Sequence, residues 1–349
     1  MPEPPPSDLE TIVDDTADSG FFASGEEIQT AAVEAEPPRR RRGLGIGAWL
    51  AIGWLLLVVG GGTLGELGAL PIADPTDVIH LHTPCPRVQG RTSCLINRLG
   101  PFAERGTAHG HLLGGDSIGR DMLSRLVYGG FNSMLVATLA IGLGFVVGGA
   151  LGLLAGYFGG RVDSLLSGVF NVLLSIPAIL LALSLAAFLK GQQSVTGGKV
   201  QSGFFQDPTV IVILAIGVVS IPLLARITRA SALSWSQREF VLAARAQGAK
   251  PLRIMWKEVL PNVLPAMLSI ALLGVAVAVV AEGSLAILGA GLDPTTASWG
   301  NIIAQGRGDL ESAPHIVFEP SIMIFLTVLA LNFLGDVIRA RGDVREAGI

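Results

Sequence analysis

The chain has 349 residues, 50% of them hydrophobic and only 15% charged, with a mean hydropathy of +0.58. A soluble domain carries about a quarter charged residues, so this composition excludes an ordinary soluble globule and points to a membrane protein. The net charge of −4 is unevenly spread: residues 1–38 hold ten acidic side chains and no Lys or Arg.

Residues 1–42 are Pro-rich and acidic, with few aromatics beyond Phe21 and Phe22. They cannot bury enough apolar surface to offset ordering entropy, so a disordered tail is expected. A solvated tail without a sharp role is favoured over an interaction tail. Arg39, Arg40, Arg41 and Arg42 then abut an apolar run over 44–64. About 20 apolar residues span the hydrocarbon core, and the four arginines put the start of this span in the cytoplasm. A cleaved signal peptide is the rival reading. The distance from Met1 and the lack of a small-residue cleavage site favour an uncleaved first helix.

Residues 66–130 read as a polar loop outside the membrane. Cys85 and Cys94 lie nine apart in it, with no His/Cys cluster at ligand spacing. In an oxidising compartment they can close a small disulfide loop; two free thiols are the alternative. Asp116 or Ser117 is placed to cap a short helix at the membrane surface.

A second span is expected over 133–157. Gly144, Gly148, Gly152, Gly156 and Gly160 recur every fourth residue and form a ridge on one face. Close helix packing is the expected use, with substrate contact as the alternative. The third span, 165–189, carries Pro177, which is expected to kink it, statically rather than as a hinge. The fourth span is 208–227, with Pro222 near its inner end.

Residues 238–265 are the most polar stretch of the C-terminal half and lie between two apolar segments. Phe240, Ala243, Ala244 and Gln247 fall at i, i+3, i+4 and i+7 and share one face of a short helix. Gly248 stands where a left-handed residue would stop it, and Pro251 follows. A second helix from Leu252 carries Arg253, Trp256, Lys257 and Glu258 and meets Pro261 and Pro265. The fifth span, 263–288, holds Glu282 near its far end, followed by Ser284. Trp299 in the next loop suits an interfacial position. The sixth span, 317–338, includes Asn332 and leads to Arg339, Arg341 and Arg345.

Six spans that start inside leave both termini in the cytoplasm. With the long first loop set aside as a poor voter, fifteen Lys and Arg fall inside and three outside, as the positive-inside rule requires. Residues 228–262 then lie in the cytoplasm.

The chain has no Walker A pattern, no His-Glu-x-x-His, no nucleophile elbow and no nucleic-acid signature. An ion-coupled secondary transporter is a rival of another class. Such carriers place ionisable residues near the midplane, at about 2.5–3.5 kcal/mol each. Here Glu282 and Asp336 lie toward helix ends. A membrane scaffold explains the apolar content but not the polar loop.

At several of these places the sequence resembles a known family. Ala243, Ala244, Gly248, Leu260 and Pro261 stand at the spacing of the "EAA" loop of bacterial ABC importer permeases. Leu242 occupies the position of the glutamate that names the loop, and Glu258 that of its late isoleucine. Both departures narrow the branch to the peptide importers. Residues 111–129, which include His111, Asp116, Gly119, Arg120, Asp121, Ser124 and Arg125, resemble the segment before the second helix in the second permease of dipeptide and oligopeptide importers. Residues 157–163 resemble the following turn. The resemblance covers about 105–345 and is closest to the C-type subunit of the dipeptide/oligopeptide/nickel group.

The resemblance implies an all-α membrane protein of the type I ABC importer permease fold, with six transmembrane helices and a cytoplasmic coupling loop. It divides the chain into the tail 1–42, the first helix and external loop 43–130, a five-helix core 131–340 with coupling loop 228–262, and a C-terminal tail 341–349. The implied function is passage of di- or oligopeptides delivered by an external binding protein, with nickel or haem-like cargo as the alternative. Glu239, Phe240, Ala243, Ala244, Arg245, Gly248, Ala249, Leu260 and Pro261 would couple to the ATPase. Glu282, Ser284 and Asn332 would fall in the translocation or gate region. The implied partners are a second, B-type permease, one or two ABC ATPase subunits, an extracytoplasmic substrate-binding protein and membrane lipids, with no nucleic acid. ATP and Mg would sit on the partners, leaving this chain non-catalytic and without a cofactor or metal. The implied location is the bacterial cytoplasmic membrane.

Overall fold

The computed structural model describes residues 45–70, 72, 74–76, 87–88, 91–92, 100–102, 111–191, 195–196, 199–200 and 207–346, with side chains to residue 340 in the last helix. The acidic tail, its four arginines, Cys85 and Cys94 lie outside the described residues, and so does the expected disulfide.

The order of elements is α1 (Ile46–Glu66), the small antiparallel pair β1 (Arg87–Val88) and β2 (Arg91–Thr92), α2 (Met122–Phe158), α3 (Gly160–Ser175) and α4 (Ala178–Gly191). A second small pair follows, β3 (Val195–Thr196) with β4 (Lys199–Val200). The rest is α5 (Pro208–Ser236), α6 (Glu239–Ala246), α7 (Pro251–Ile254), a π-helical turn (Met255–Val259), α8 (Leu260–Ile287), α9 (Trp299–Gly306) and α10 (His315–Glu346). Among the described residues, five helices are long and apolar enough to cross a membrane: Ile46–Glu66, Met122–Phe158, Pro208–Ser236, Pro251–Ile287 and His315–Ala340. The pair α3 and α4 makes a sixth crossing if counted as one span. Large apolar side chains such as Leu56, Val146, Val277 and Phe325 face outward, as a multi-pass membrane protein requires.

Glycine spacing decides the centre of the bundle. A Cβ on Gly148 would sit 2.5 Å from the Ile221 carbonyl oxygen, and one on Gly156 2.5 Å from that of Arg229. On Gly152 it would overlap the Ala225 carbonyl oxygen, and on Gly144 the Ser220 hydroxyl. The ridge of α2 is therefore pressed against the backbone of α5, the close packing expected of glycines at this period. Gly160 is not part of it. Nothing lies within 4 Å of its missing Cβ, and with Gly159 it takes positive φ (+55° and +63°) in the turn into α3.

These contacts advance together along both helices, so α2 and α5 run in the same direction. The connection 159–207 must then return across the bundle, which is why α3 and α4 together count as the third crossing. That crossing is not the kinked helix expected around Pro177. It breaks, and the two halves meet at 90°. A proline pushes its predecessor out of the α region, and Ile176 is extended (φ −90°, ψ 131°). The helix restarts when Leu181 N–H donates to Pro177 O at 3.1 Å. The polar side of α3 is fastened to α5: Asp163 pairs with Arg229, and Arg226 donates to Asn171 Oδ1 at 2.8 Å.

The contacts of α1 with α2 and α10, and of α8 with α10, join antiparallel helices. Gly62 and Gly65 of α1 admit Phe131 and Tyr128 of α2, and Tyr128 donates to Gly65 O at 2.9 Å. Trp54 Nε1 donates to Thr327 Oγ1 of α10 at 3.0 Å. Ser269 of α8 donates to Gly335 O of α10 at 3.0 Å.

Candidate functional site

Two places carry the candidate residues, one at each end of the helix that runs unbroken over Pro251–Ile287.

The first is the loop between α5 and α8. Arg238, extended at φ −72° and ψ 152°, precedes α6. The helix ends in a Schellman motif: Gly248 N–H donates to Arg245 O at 3.0 Å and Ala249 N–H to Ala244 O at 3.1 Å. Gly248 takes φ +77°, which a glycine adopts without steric penalty. Val241 holds α6 down. It is fully buried in a cluster with Leu153 and Tyr157 of α2, Ala232 of α5, and Ile254, Met255 and Val259. Periodicity alone picks the face of Phe240, Ala243, Ala244 and Gln247. That face is mostly exposed, with only Ala244 half-buried at its border. Val241 was missed because the phase of an eight-residue helix is set by what it packs on.

Glu239, Phe240, Leu242, Ala243 and Arg245 are exposed, and so is Pro261. Leu260 and Ala249 are half-buried. Leu252 and Trp256 add apolar surface, with Trp256 53% exposed. The second helix does not stop at Pro261 or Pro265. Its first turn passes through the π-helical turn into α8 without a break, with Pro261 just after that turn and Pro265 inside the helix.

The second place lies at the opposite end of α8. Gly289, at φ +83°, closes a second Schellman motif: Gly289 N–H donates to Ala286 O at 3.0 Å and Ala290 N–H to Leu285 O at 2.8 Å. Arg307 Nη1 donates to Ile287 O at 3.0 Å, a cation at the negative end of the helix. The loop folds back into α9, whose N-cap Ser298 accepts from Asn301 N. Glu282 is completely buried beneath it and accepts from Ser298 Oγ at 2.8 Å and Ser133 Oγ at 3.1 Å. In the loop itself, the amide and hydroxyl of Thr295 donate to Asp293 and hold its carboxyl below the usual range.

Trp299, expected at an interface, is buried instead. Its Nε1 donates to Leu126 O at 3.0 Å, and its ring fills the space left by Gly130. The structure does not bring Ser284 or Asn332 into this network. The Ser284 hydroxyl turns back to Val280 O at 2.9 Å. Asn332 Oδ1 is buried without a hydrogen-bond partner among the described residues.

Beside this network lies an ion cluster. Asp116 accepts from Arg120 Nε at 2.6 Å and lies 3.5 Å from Nε of the fully buried Arg125. Gln305 of α9 accepts from Arg120 at 2.5 Å and Arg125 at 3.2 Å. The expected short helix capped by Asp116 or Ser117 is absent among the described residues. Asp116 shapes a turn closed by Gly119 at φ +95°. Asp121 caps α2 instead, accepting from Ser124 N at 2.8 Å.

Among the described residues no group of His, Cys, Asp and Glu could hold a metal ion. The arrangement sets an anchored surface helix at one end of α8 and a hydrogen-bonded loop at the other.

Comparison with known proteins agrees. Residues 148–345 match the family described as "Binding-protein-dependent transport system inner membrane component". The dipeptide transport system permease protein DppC of Alkalihalophilus pseudofirmus is 36% identical over 244 residues, 70% of this chain and 73% of the relative. The glutathione transport system permease protein GsiD of Pectobacterium atrosepticum is 33% identical, with 67% and 72% covered. A chain from an inward-facing structure of the MetNI methionine ABC transporter aligns at a TM-score of 0.52 and 23% identity. The alignment covers 63% of this chain and 97% of that one, and speaks to the fold alone. With more than half the chain matched and the bundle fully helical between its loops, the protein belongs to the inner-membrane components of binding-protein-dependent transport systems, as a permease subunit of an ABC importer.

Proposed function

We propose that this chain forms half of the path by which an ATP-driven importer admits peptides across the bacterial cytoplasmic membrane. The observation that carries the proposal is the loop helix α6: rooted by Val241, ended by Gly248, and presenting Phe240, Leu242 and Ala243 outward. A small, anchored helix with an exposed apolar face is suited to a cleft on an ATPase subunit. Small residues such as Ala243 let the two surfaces approach closely. ATP and Mg belong to that subunit, and this chain is a non-catalytic transmitter. Both termini and the loop lie in the cytoplasm, as the arginine and lysine distribution favours. A second, B-type permease completes the path, and an external binding protein delivers cargo. Peptide cargo is supported by relatives named for dipeptide, di/tripeptide and glutathione transport.

Purification of the tagged chain in mild detergent tests this assembly. The expected result is co-recovery of a second permease and an ATPase, with ATP hydrolysis. A chain that purifies alone and moves solute in ATP-free vesicles overturns the proposal.

Gly248→Val tests the loop. No atom lies within 4 Å of the missing Cβ, so the cost is in the backbone: about 1–2 kcal/mol for a left-handed L-residue, and more for a β-branched one. The complex is expected to assemble but lose most peptide uptake per ATP hydrolysed. Gly248→Asn, which tolerates this conformation, is expected to retain it. Equal uptake per ATP in the valine variant argues against α6 as the transmitting element.

A further inference from the structure

Glu282 is addressed only by donors. Ser298 Oγ gives its proton to Oε1 and Ser133 Oγ to Oε2. Both hydroxyl oxygens are themselves acceptors, Ser298 from Asn301 N at 3.0 Å and Ser133 from Trp299 N at 3.1 Å. Each hydroxyl thus accepts from a backbone amide and donates to Glu282. An ionised carboxylate is acceptor-only and fits this arrangement. A glutamine would turn an NH2 group toward one of the donors.

The space is equally specific. A Cβ on Gly300 would lie 2.6 Å from Gly283 Cα and 3.0 Å from Glu282 Oε2, and one on Gly129 3.2 Å from the Ser298 carbonyl carbon. Three parts of the chain therefore meet backbone to backbone around one side chain: α2 at Ser133, α8 at Glu282, and the segment that opens α9. The carboxylate lies about 45 Å along the helix from Pro251, at 1.5 Å per residue. No break interrupts Pro251–Ile287 between the cytoplasmic loop and this point.

We propose that Glu282 is a positioning residue of the transport cycle. It binds the 288–306 segment to the end of α8, so that displacement of the coupling loop is delivered to the extracytoplasmic closure as one rigid movement. The proposal rests on the reading of α6 as the transmitting element.

The test uses the assembled importer in proteoliposomes. Cys85 and Cys94 are replaced by serine, and Thr295, exposed in the loop before α9, is replaced by cysteine. The readout is the rate at which a membrane-impermeant maleimide labels that cysteine, with and without ATP and vanadate. In this parent, nucleotide trapping is expected to change the rate by about tenfold, within the usual range for coupled sites. With Glu282→Gln the complex is expected to assemble and hydrolyse ATP, but labelling no longer responds to trapping. Ser298→Ala and Ser133→Ala each remove one donor and are expected to give a partial response. They carry the test if Glu282→Gln does not assemble.

A full response in Glu282→Gln, or in both serine variants, overturns the proposal, as does a parent without response. Loss of assembly in all three variants also overturns it, by showing a purely structural role. Gly248→Val in the same assay keeps the two readings apart. If it leaves the response intact while Glu282→Gln abolishes it, the loop reading fails and the role of Glu282 at the closure remains. If the reverse holds, only the role of Glu282 fails.

Discussion

Gly152→Ala, a change of one methyl group, is expected to prevent stable assembly of the bundle. Alanine is a better helix former than glycine by about 1 kcal/mol, so propensity alone predicts a gain. Packing decides otherwise. The new Cβ would overlap the Ala225 carbonyl oxygen and lie 2.8 Å from Thr228 Cβ. Overpacking a core costs about 1–3 kcal/mol where side chains can shift. Here the first atom met is backbone, so relief requires α2 and α5 to separate along the whole ridge. Gly142→Ala is the control. It lies on the same helix, its missing Cβ has nothing within 4 Å, and it is expected to be neutral or mildly stabilising. Detergent melting and membrane yield measure both. Equal behaviour of the two variants would show that the ridge is not what holds the helices together.

Asp116→Ala is expected to cost about 3–5 kcal/mol, the usual penalty for removing one partner of a buried ion pair. Arg125 is fully buried, and Asp116 is the carboxylate it shares with Arg120. Without Asp116 two guanidinium groups face each other with only Gln305 between them. Arg125→Met is expected to cost much less. It removes the buried charge and leaves Asp116 bound to Arg120 at 2.6 Å. The order of the two melting temperatures in detergent checks the argument. A larger loss in Arg125→Met would mean that its donation to Pro75 O and Gln305 outweighs the cost of desolvating it.

The helical bundle and its glycine ridge were legible because they follow from local periods: an apolar run long enough to span, or a small residue every fourth position. The α6 stop was legible for the same reason, since Gly248 and Pro251 punctuate the chain within a few residues. What escaped depends on distant partners. Ser133 lies 149 residues from the carboxylate it serves. Trp299 is buried because Gly130, far back in the chain, leaves room for its ring. Pro177 shows a different limit. Pro222 and Pro265 sit inside continuous helices, whereas Pro177 ends one. The residue type is the same, and the outcome is set by the packing of the flanking turns.

The right-angle break before Pro177 has a consequence for what surrounds the bundle. α4 has 14 residues, about 21 Å of helix at 1.5 Å per residue, against a hydrocarbon layer of about 30 Å. Its far end is marked by Lys190, whose ammonium donates to Gly291 O beside the closure. With Lys190 at the membrane surface and α4 along the bilayer normal, the break would fall within the depth of the acyl chains. Lipid tails offer no hydrogen bonds, so an irregular backbone survives at that depth only against protein or water. Residues 174–178 are exposed on this chain. On that placement the bilayer would not be the solvent for this flank, which would be wetted or covered by another chain, while the outward faces of the unbroken helices would remain available to lipid.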